Sequence, residues 1–524
     1  MMNFKQKILN YYSLSEVDYE NLTKDVTISD LPNPFKYENM EGCVSFIKKQ
    51  IELNKKILIY GDYDCDGVMA TSIVFLALKT DTFTPGFYIP FRETDGYGLT
   101  KENIKKFSEL GYEVLILVDN GITLNDEIDY ANSLGLTVII FDHHTMEEKL
   151  PNALFILHPI YSGFSEYNMC AGSLAFFFSM AYLGKVDEYL LTLAMISTIS
   201  DLMEIKGYNR LLIKLGLKSL NTKKYSNIFQ LINKDLIKIT ETDIAILVAP
   251  KINAIGRIIN DNSLFNIVRY FIKTDDANFT RDLAEWITDV NTHRKQLIKE
   301  NNENLNFDNN KNSIVFEADN LKEGLTGLLA AKILDEYNKP VVVLTKSSKD
   351  EKILKGSIRS KSGFDVNIIL NDLKDLLIAY GGHQNAGGLT LEDKNFQEFM
   401  KRFDFAASKH HFVDEKTDMI EINITDINKE NYDFLMTLSP FGQGFKKPVF
   451  LIKNVKTTFL TKSKDNKHII FKVNPTSAIV YFNFDKKIFD NNYVDLYGNL
   501  DINYFNNYTT TQFHVSGFLK NILE

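Results

Sequence analysis

The stretch Lys56-Ile57-Leu58-Ile59-Tyr60-Gly61-Asp62-Tyr63-Asp64-Cys65-Asp66-Gly67 decides the fold. Its apolar opening reads as a short buried strand, and the apolar residues 68–78 that follow read as a helix. Between them lie three carboxylates at alternate positions. In an extended segment alternate side chains share one face, so Asp62, Asp64 and Asp66 would repel one another unless a cation held them. Gly67 then allows a tight turn into a helix that begins near Val68. An acidic loop capping a helix N-terminus explains the same pattern without a metal.

Outward from this stretch the strand-then-acid pattern recurs. Upstream, Val44, Phe46, Ile47 and Ile51 stand at helical spacing within residues 41–53. Downstream, a helix over 100–110 precedes a strand over 114–118 that ends in Asp119-Asn120-Gly121. A helix over 124–134 precedes a strand over 136–141 that ends in Asp142-His143-His144. Strands alternating with helices predict βαβ units and a mainly parallel sheet. Ligands of such sheets sit beyond the carboxyl ends of the strands, where all three acidic motifs would converge.

Residues 171–270 look mostly helical, and Asp201 follows the apolar run LLTLAMISTIS. An acid at the end of a buried helix wants a partner, although a plain cap for the next helix would also account for it. One long connecting helix is expected over 275–305. A second α/β pattern follows, with strands over 313–316, 340–345 and 355–359 and a helix over 326–337. From about residue 419 short β-like runs such as VFLIKNV, HIIFKV and VDLYGNL predict a small barrel or sandwich. The expected division is an N-terminal extension (1–40), a first α/β domain (41–270), the connecting helix (271–310), a second α/β domain (311–410) and the β-rich domain (411–524).

At 524 residues the chain is long enough for about three domains. A hydrophobic share of 44% with 24% charged residues is that of a folded chain and excludes wholesale disorder. The formal net charge of −9 would disfavour nucleic acid over a whole surface. It leaves room for one basic groove beside an acidic metal site. Three scattered cysteines, Cys43, Cys65 and Cys170, are too few for a disulfide framework. The opening MMNFKQKILNYYS lacks the pattern of a signal peptide, and no run approaches the roughly 20 apolar residues of a membrane span. A cytoplasmic protein is expected, with no further domain after the β-rich one.

Asp142-His143-His144 adds imidazole nitrogen to the oxygen-rich set, a mixture that suits Mn²⁺ and related metals, whereas oxygen alone suits Mg²⁺ or Ca²⁺. With Asp119 and Asp201 the groups suffice for two bridged divalent ions, an arrangement suited to in-line attack on phosphorus. Other motifs look made for phosphate. Arg257 follows a glycine in Asn253-Ala254-Ile255-Gly256-Arg257. Gly356-Ser357-Ile358-Arg359-Ser360 joins a flexible backbone, two hydroxyls and a guanidinium, whose fork matches phosphate geometry. The glycine-rich run from Gly381 through Gly382 and His383 to Gly388 reads as a loop whose amides could approach a phosphate. The lysines around Arg359 read as a solvated face.

Together GDYDCDG, YIPFRETDGYGL, VDNGIT, FDHH, ISTISDL, APKINAIGRI, GSIRS, GGHQNAGGL and LSPFGQGFKKPVF resemble the DHH phosphoesterase superfamily, from about Pro34 to the end of the chain. The resemblance implies a DHH catalytic domain, a connecting helix, a DHH-associated domain and an OB-fold. It implies that Asp62, Asp64, Asp66, Asp119, His143 and Asp201 surround two Mn²⁺ or Mg²⁺ ions, with Asp119 bridging. Asp142 would orient a histidine, and His144 would face the scissile phosphate. Arg257, Ser357, Arg359, Gly382 and His383 would hold phosphates of single-stranded DNA. The implied reaction is 5′→3′ hydrolysis to 5′-mononucleotides in DNA repair and recombination, with a single-strand-binding protein and a helicase as partners. Tyr60 departs from the pattern where many relatives carry a ligating histidine, and Lys251 and Phe445 stand where Arg and Asn are common. Two alternatives remain open: a DHH enzyme for short oligoribonucleotides or cyclic dinucleotides, and a non-catalytic single-strand-binding relative.

Overall fold

A computed structural model describes the chain except residues 1, 235, 304–306, 308–310, 411, 413–417, 506, 507 and 521–524. The chain divides into two compact units, Ile28–Glu415 and a second made from Met1–Thr27 with Lys416–Glu524.

Within the larger unit, five short strands form a wholly parallel sheet: β1 (Ile57–Tyr60), β2 (Gly86–Tyr88), β3 (Val114–Val118), β4 (Thr137–Phe141) and β5 (Phe155–Leu157). Their order is β2-β1-β3-β4-β5. The chain leaves β1 toward one edge and returns to its other side at β3, so the topological switch point lies between these two strands. A crevice opens there beyond the carboxyl ends. Tyr60 pairs with Leu117, and Val118 with Phe141. That register sets Asp62, Asp119 and Asp142 along one rim. The three-residue strands β2 and β5 are too short for the periodicity reading to find.

The segment after β1 differs from the extended run expected. The helix Cys65–Leu78 starts before Val68, with Asp64 as its N-cap and Asp66 and Gly67 in its first turn. An N-cap carboxylate that takes up a free amide begins the helix at once, so the three acids do not share one strand face. Every residue of this helix but Leu76 is buried. Its composition is apolar all round, as a fully enclosed helix requires. It packs against the helices Ala171–Leu183 and Glu188–Ser200.

Further along, a π-turn at Ile244–Val248 leads into the helix Ala249–Ile258. Pro250 accounts for the widening: a proline ring clashes with the carbonyl four residues back, here Ile246, and the Ala249 amide donates to Ile244 instead. The long helix runs Ala277–Glu303. A second sheet follows: β6 (Ile314–Glu317), β7 (Val341–Lys346), β8 (Ile353–Arg359), β9 (Leu377–His383) and β10 (Ala386–Glu392), in the order β6-β7-β8-β10-β9.

The glycine-rich run expected as a loop is a hairpin. Gly381 pairs with Gly388, and Gly382 with Gly387. A Cβ on Gly382 would lie 2.3 Å from the Ala386 oxygen, and its φ of +155° is one that L-residues rarely adopt. Close cross-strand contact therefore requires glycine at 382 and 387, where a Cβ on Gly387 would lie 2.9 Å from the Gly381 oxygen, and most of the run's backbone serves the ladder.

The smaller unit holds β11 (Met419–Glu421), β12 (Val449–Lys456), β13 (Ile469–Asn474), β14 (Ser477–Tyr481), β15 (Tyr493–Phe505) and β16 (Tyr508–Lys520), in the order β11-β12-β15-β16-β14-β13. The first 40 residues, expected as one extension, split. Helices Phe4–Tyr11 and Glu16–Thr23 belong to this unit, where Phe4 and Ile8 enter its core and Phe4 stacks on Phe450. The segment from Ile28 belongs to the larger unit, with Tyr37 stacked on Phe164.

Candidate metal centre

Asp62 is buried, and its Oδ1 has no hydrogen-bond partner. Burial and the neighbouring Asp64 push its carboxyl up to about 8. Asp64 accepts from the Gly67 amide at 3.0 Å, yet burial and Asp66 still raise it. Asp119 sits at φ +65°, an uncommon conformation for a non-glycine residue that costs energy and clusters at functional sites. Burial, then Asp66, Asp64 and Asp62, raise it far above the ordinary carboxylate range. Asp201 ends the helix Glu188–Ser200, and burial with Asp66 and Asp64 raises it to about 8.

Four acids pushed upward in one place mean that their mutual charge is uncompensated within the chain. The histidine pair completes the rim. His143 Nε2 lies 3.2 Å from Asp119 Oδ1 and 3.5 Å from both Asp66 Oδ2 and Asp201 Oδ2. Ligand atoms converge in three sets: Asp62, Asp64 and Asp119; Asp66, His143 and Asp201; and Asp119, His143 and His144. Asp119 belongs to two of them. Oxygen with imidazole nitrogen, buried and short of positive charge, fits divalent Mn²⁺ or Mg²⁺.

Asp142 stands apart from these sets and organises the loop. Its Oδ1 accepts from the amides of His143 and His144, at 2.7 and 3.2 Å, and pairs with His144 Nδ1 at 2.7 Å. Its Oδ2 accepts from the Ile122 amide at 2.9 Å. Burial works against the charge, but these bonds and both imidazoles outweigh it and carry Asp142 down to about 2. Asp142 thus touches the His144 ring at Nδ1. His144 gains in turn: burial opposes its charge, yet Asp142 lifts it to about 9. The loop is also gripped from behind, because Asn168 Nδ2 donates to the His143 carbonyl at 3.0 Å and His158 Nε2 lies 3.1 Å from that of His144.

Tyr60, noted above as a departure from the expected pattern, is fully buried and donates to the Gly98 carbonyl at 2.8 Å. Lys251 is buried and donates to the Leu231 carbonyl and to Thr288. Phe445 stacks on Tyr12 and Phe441.

The phosphate-binding candidates divide. Arg257 lies close to the centre. Its helix crosses so near the acidic loop that a Cβ on Gly256 would lie 2.1 Å from the Tyr63 oxygen, and Asn253 Oδ1 accepts from the Cys65 amide at 2.8 Å. Arg257 Nη1 donates to the Gly324 carbonyl at 2.9 Å, and burial with the nearby Arg92 lowers the guanidinium to about 10. A cavity of about 370 Å³ is lined by Ser357, Lys355, Tyr380, Gly381, Gly388 and Arg92. Arg359 lies outside that lining, its Nη1 bonded to its own Ile358 carbonyl, and His383 is exposed at the hairpin end.

Sequence reasoning missed Arg92. Its guanidinium lies 4.0 Å from the Tyr63 ring, and its buried Nε has no hydrogen-bond partner. The sign was a cation after the apolar run Tyr88-Ile89-Pro90-Phe91. Asn168, His158 and Tyr97, whose hydroxyl lies 3.3 Å from His144 Nδ1, were missed too. They are single polar residues in loops, with no spacing to flag them.

The model of the DHH family N-terminal domain matches residues 56–198, which carry the Asp and His motifs just described. Residues 56–198 are thus similar to the DHH family's N-terminal domain. The DHHA1 domain model matches residues 310–409, and the RecJ OB domain model matches residues 418–517. The single-stranded-DNA-specific exonuclease RecJ of Bacillus subtilis is 31% identical over 508 residues, 93% of this chain and 63% of that one. The protein of the same name from Haemophilus influenzae is 27% identical, over 81% of this chain and 80% of that one. The chain therefore spans somewhat less than two thirds of the first relative's length. Among solved structures, RecJ of Thermus thermophilus in complex with Mn²⁺ covers 98% of the chain at a TM-score of 0.84 and 22% identity; the match spans 76% of that structure. An exonuclease RecJ bound to manganese is 26% identical with a TM-score of 0.63, over 72% of this chain and 96% of that one. The expected α/β architecture with a C-terminal OB domain stands.

Proposed function

We propose that this protein is a single-stranded-DNA exonuclease that hydrolyses phosphodiester bonds 5′→3′ and releases 5′-mononucleotides. The observation that carries the reading is the set of buried, mutually repelling carboxylates around His143, with unpartnered atoms at Asp62 Oδ1, His143 Nδ1 and Asp201 Oδ2. In this reading Asp62, Asp64, Asp66, Asp119, His143 and Asp201 hold two divalent ions, with Asp119 between them. Such ions, when bound, would lower the pKa of a water and neutralise charge on the phosphoryl oxygens. Asp142 fixes His144 through Nδ1 and leaves Nε2, 3.4 Å from the Tyr97 hydroxyl, to meet a phosphoryl oxygen. Arg257 and Arg92 bring positive charge to the rim, while Ser357, Arg359, Gly382 and His383 bind the strand farther along.

The similarity to RecJ exonucleases and the OB-domain match support DNA over a cyclic dinucleotide, and the intact donor sets speak against a decayed, non-catalytic relative. Within the OB unit several strand aromatics belong to the core. Phe450 is wholly buried, Phe471 and Tyr481 pack against the core, and the Phe505 side chain lies outside the described residues. Phe459 and Phe482 are exposed instead and are better placed to stack on bases. Among the described residues no helix is long and apolar enough to cross a membrane. The same reading assigns the protein to the cytoplasm, to DNA repair and recombination, and to work beside a single-strand-binding protein and a helicase.

The test offers end-labelled single-stranded DNA, duplex DNA and an RNA dinucleotide with Mn²⁺, and repeats each with EDTA. Mononucleotide release from the 5′ end of the single strand, lost with EDTA, is expected. Preference for the dinucleotide, or release from the 3′ end, would overturn the assignment. A second expectation concerns Asn168. Its truncation to Ala frees the His143 carbonyl, and a lost supporting bond of this kind weakens metal binding roughly 10-fold or more. A Mn²⁺ titration of Asn168→Ala that matches the parent would show the loop to be held without it.

A further inference from the structure

We infer that Ser197 is a positioning residue that, backed by Cys170, fixes the orientation of the Asp66 carboxylate in the metal centre. This rests on the metal-dependent reading above. Asp66 is almost wholly buried, and both of its oxygens already accept hydrogen bonds from a neighbouring helix. Oδ2 accepts from the Ala171 amide and Oδ1 from the Gly172 amide, both at 2.8 Å, and the Ser197 hydroxyl donates to Oδ1 as well. A carboxylate has about four lone-pair sites, so these three bonds leave a direction open, and Oδ2 lies 3.5 Å from His143 Nε2. Ser197 stands one helical turn before Asp201, whose amide donates to the Ser197 carbonyl at 3.0 Å. One residue thus touches two members of the same donor set through different atoms.

Proton accounting fixes the direction of the bonds behind Ser197. Its one hydroxyl proton goes to Asp66. Thr198 gives its proton to the Ala194 carbonyl at 2.7 Å, so the 3.0 Å contact between Ser173 and Thr198 uses the proton of Ser173. Only the Cys170 thiol has a proton left for its 2.8 Å contact with the Ser197 oxygen. Burial pushes this thiol well up, which keeps the proton in place. The chain of donors runs Cys170 to Ser197 to Asp66, and each bond polarises the next. A buried hydroxyl cluster that only satisfies the core would show the same packing, but it would have no reason to end on a carboxylate of the centre.

A double-mutant cycle separates the two. Mn²⁺ binding without DNA is measured by titration calorimetry on the full chain for the parent, Ser197→Ala, Asp66→Asn and the double variant. Ser197→Ala should weaken Mn²⁺ binding about 10-fold, and add less than about 2-fold once Asp66 is replaced. The Mn²⁺ needed for half-maximal cleavage should move by the same factor, while the rate at saturating Mn²⁺ stays within about 3-fold. A lowered melting temperature with unchanged Mn²⁺ affinity, or full additivity in the cycle, would overturn the inference. If Ser197→Ala does not fold, Cys170→Ala carries the test, because it removes only the outer donor: weaker Mn²⁺ binding is expected, and unchanged binding overturns the inference. A parent that binds no Mn²⁺ would sink the exonuclease reading itself, and the inference with it.

Discussion

Asp119→Asn should abolish DNA cleavage and, in the metal-free protein, raise thermal stability. Asparagine is the right replacement because it tolerates the positive φ at this position, so the loop stays in place while the charge is lost. The Asp119 carboxylate belongs to two of the three donor sets, and its removal strips both. Charge stabilisation by bound metal is worth several kcal/mol, so the rate should fall on the order of 10³- to 10⁴-fold. The stability effect has the opposite sign. A carboxyl whose pKa is raised by folding binds more protons folded than unfolded, and its contribution to stability falls as pH rises from the ordinary carboxylate range through the raised folded value. At neutral pH without metal, Asp119 therefore opposes folding, and Asn relieves that. A rise in melting temperature in EDTA, reversed in order against the parent by added Mn²⁺, is the expected pattern. A variant that cleaves within 10-fold of the parent would remove Asp119 from the centre.

Gly256→Ala should be nearly as damaging, without touching any proposed ligand. The new methyl would stand 2.1 Å from the Tyr63 oxygen and 2.9 Å from the Tyr63 carbonyl carbon, and this backbone cannot swing aside as a side chain could. Either the helix Ala249–Ile258 or the acidic loop must move. Overpacking of this kind costs about 1–3 kcal/mol. Movement also drags Arg257 and breaks the bond from the Cys65 amide to Asn253, so activity should fall about 100-fold, the loss that a misplacement near 1 Å brings. Thermal denaturation and cleavage assays on one preparation give both numbers. Unchanged activity would mean that the helix and the loop are not coupled.

These two positions show how differently the centre was legible. The acids and the histidine pair were readable because a parallel sheet gathers whatever follows its strands, so Asp119 after Val114–Val118 and Asp142 after Thr137–Phe141 had to meet. The helix Thr326–Tyr337 was readable to the residue because its pattern is local. The hairpin at Gly381–Gly388 was read as a loop, since nothing local shows that two glycine pairs will face each other across a ladder. Arg92, Asn168 and Ser197 were invisible for the same reason: their partners lie far along the chain.

On its own, the stretch from Lys56 to Gly67 determined the strand, the carboxylates and the helix behind them. Only the tertiary structure decided what each acid does, because direction is set by partners that spacing cannot reveal. Asp64 became an N-cap and Asp66 turned toward the amides of Ala171 and Gly172. Asp62 and Asp201 were left with bare oxygens. Burial did the rest: it strips water from charges that local sequence would leave solvated, and so turns an acidic loop into a site that calls for a cation.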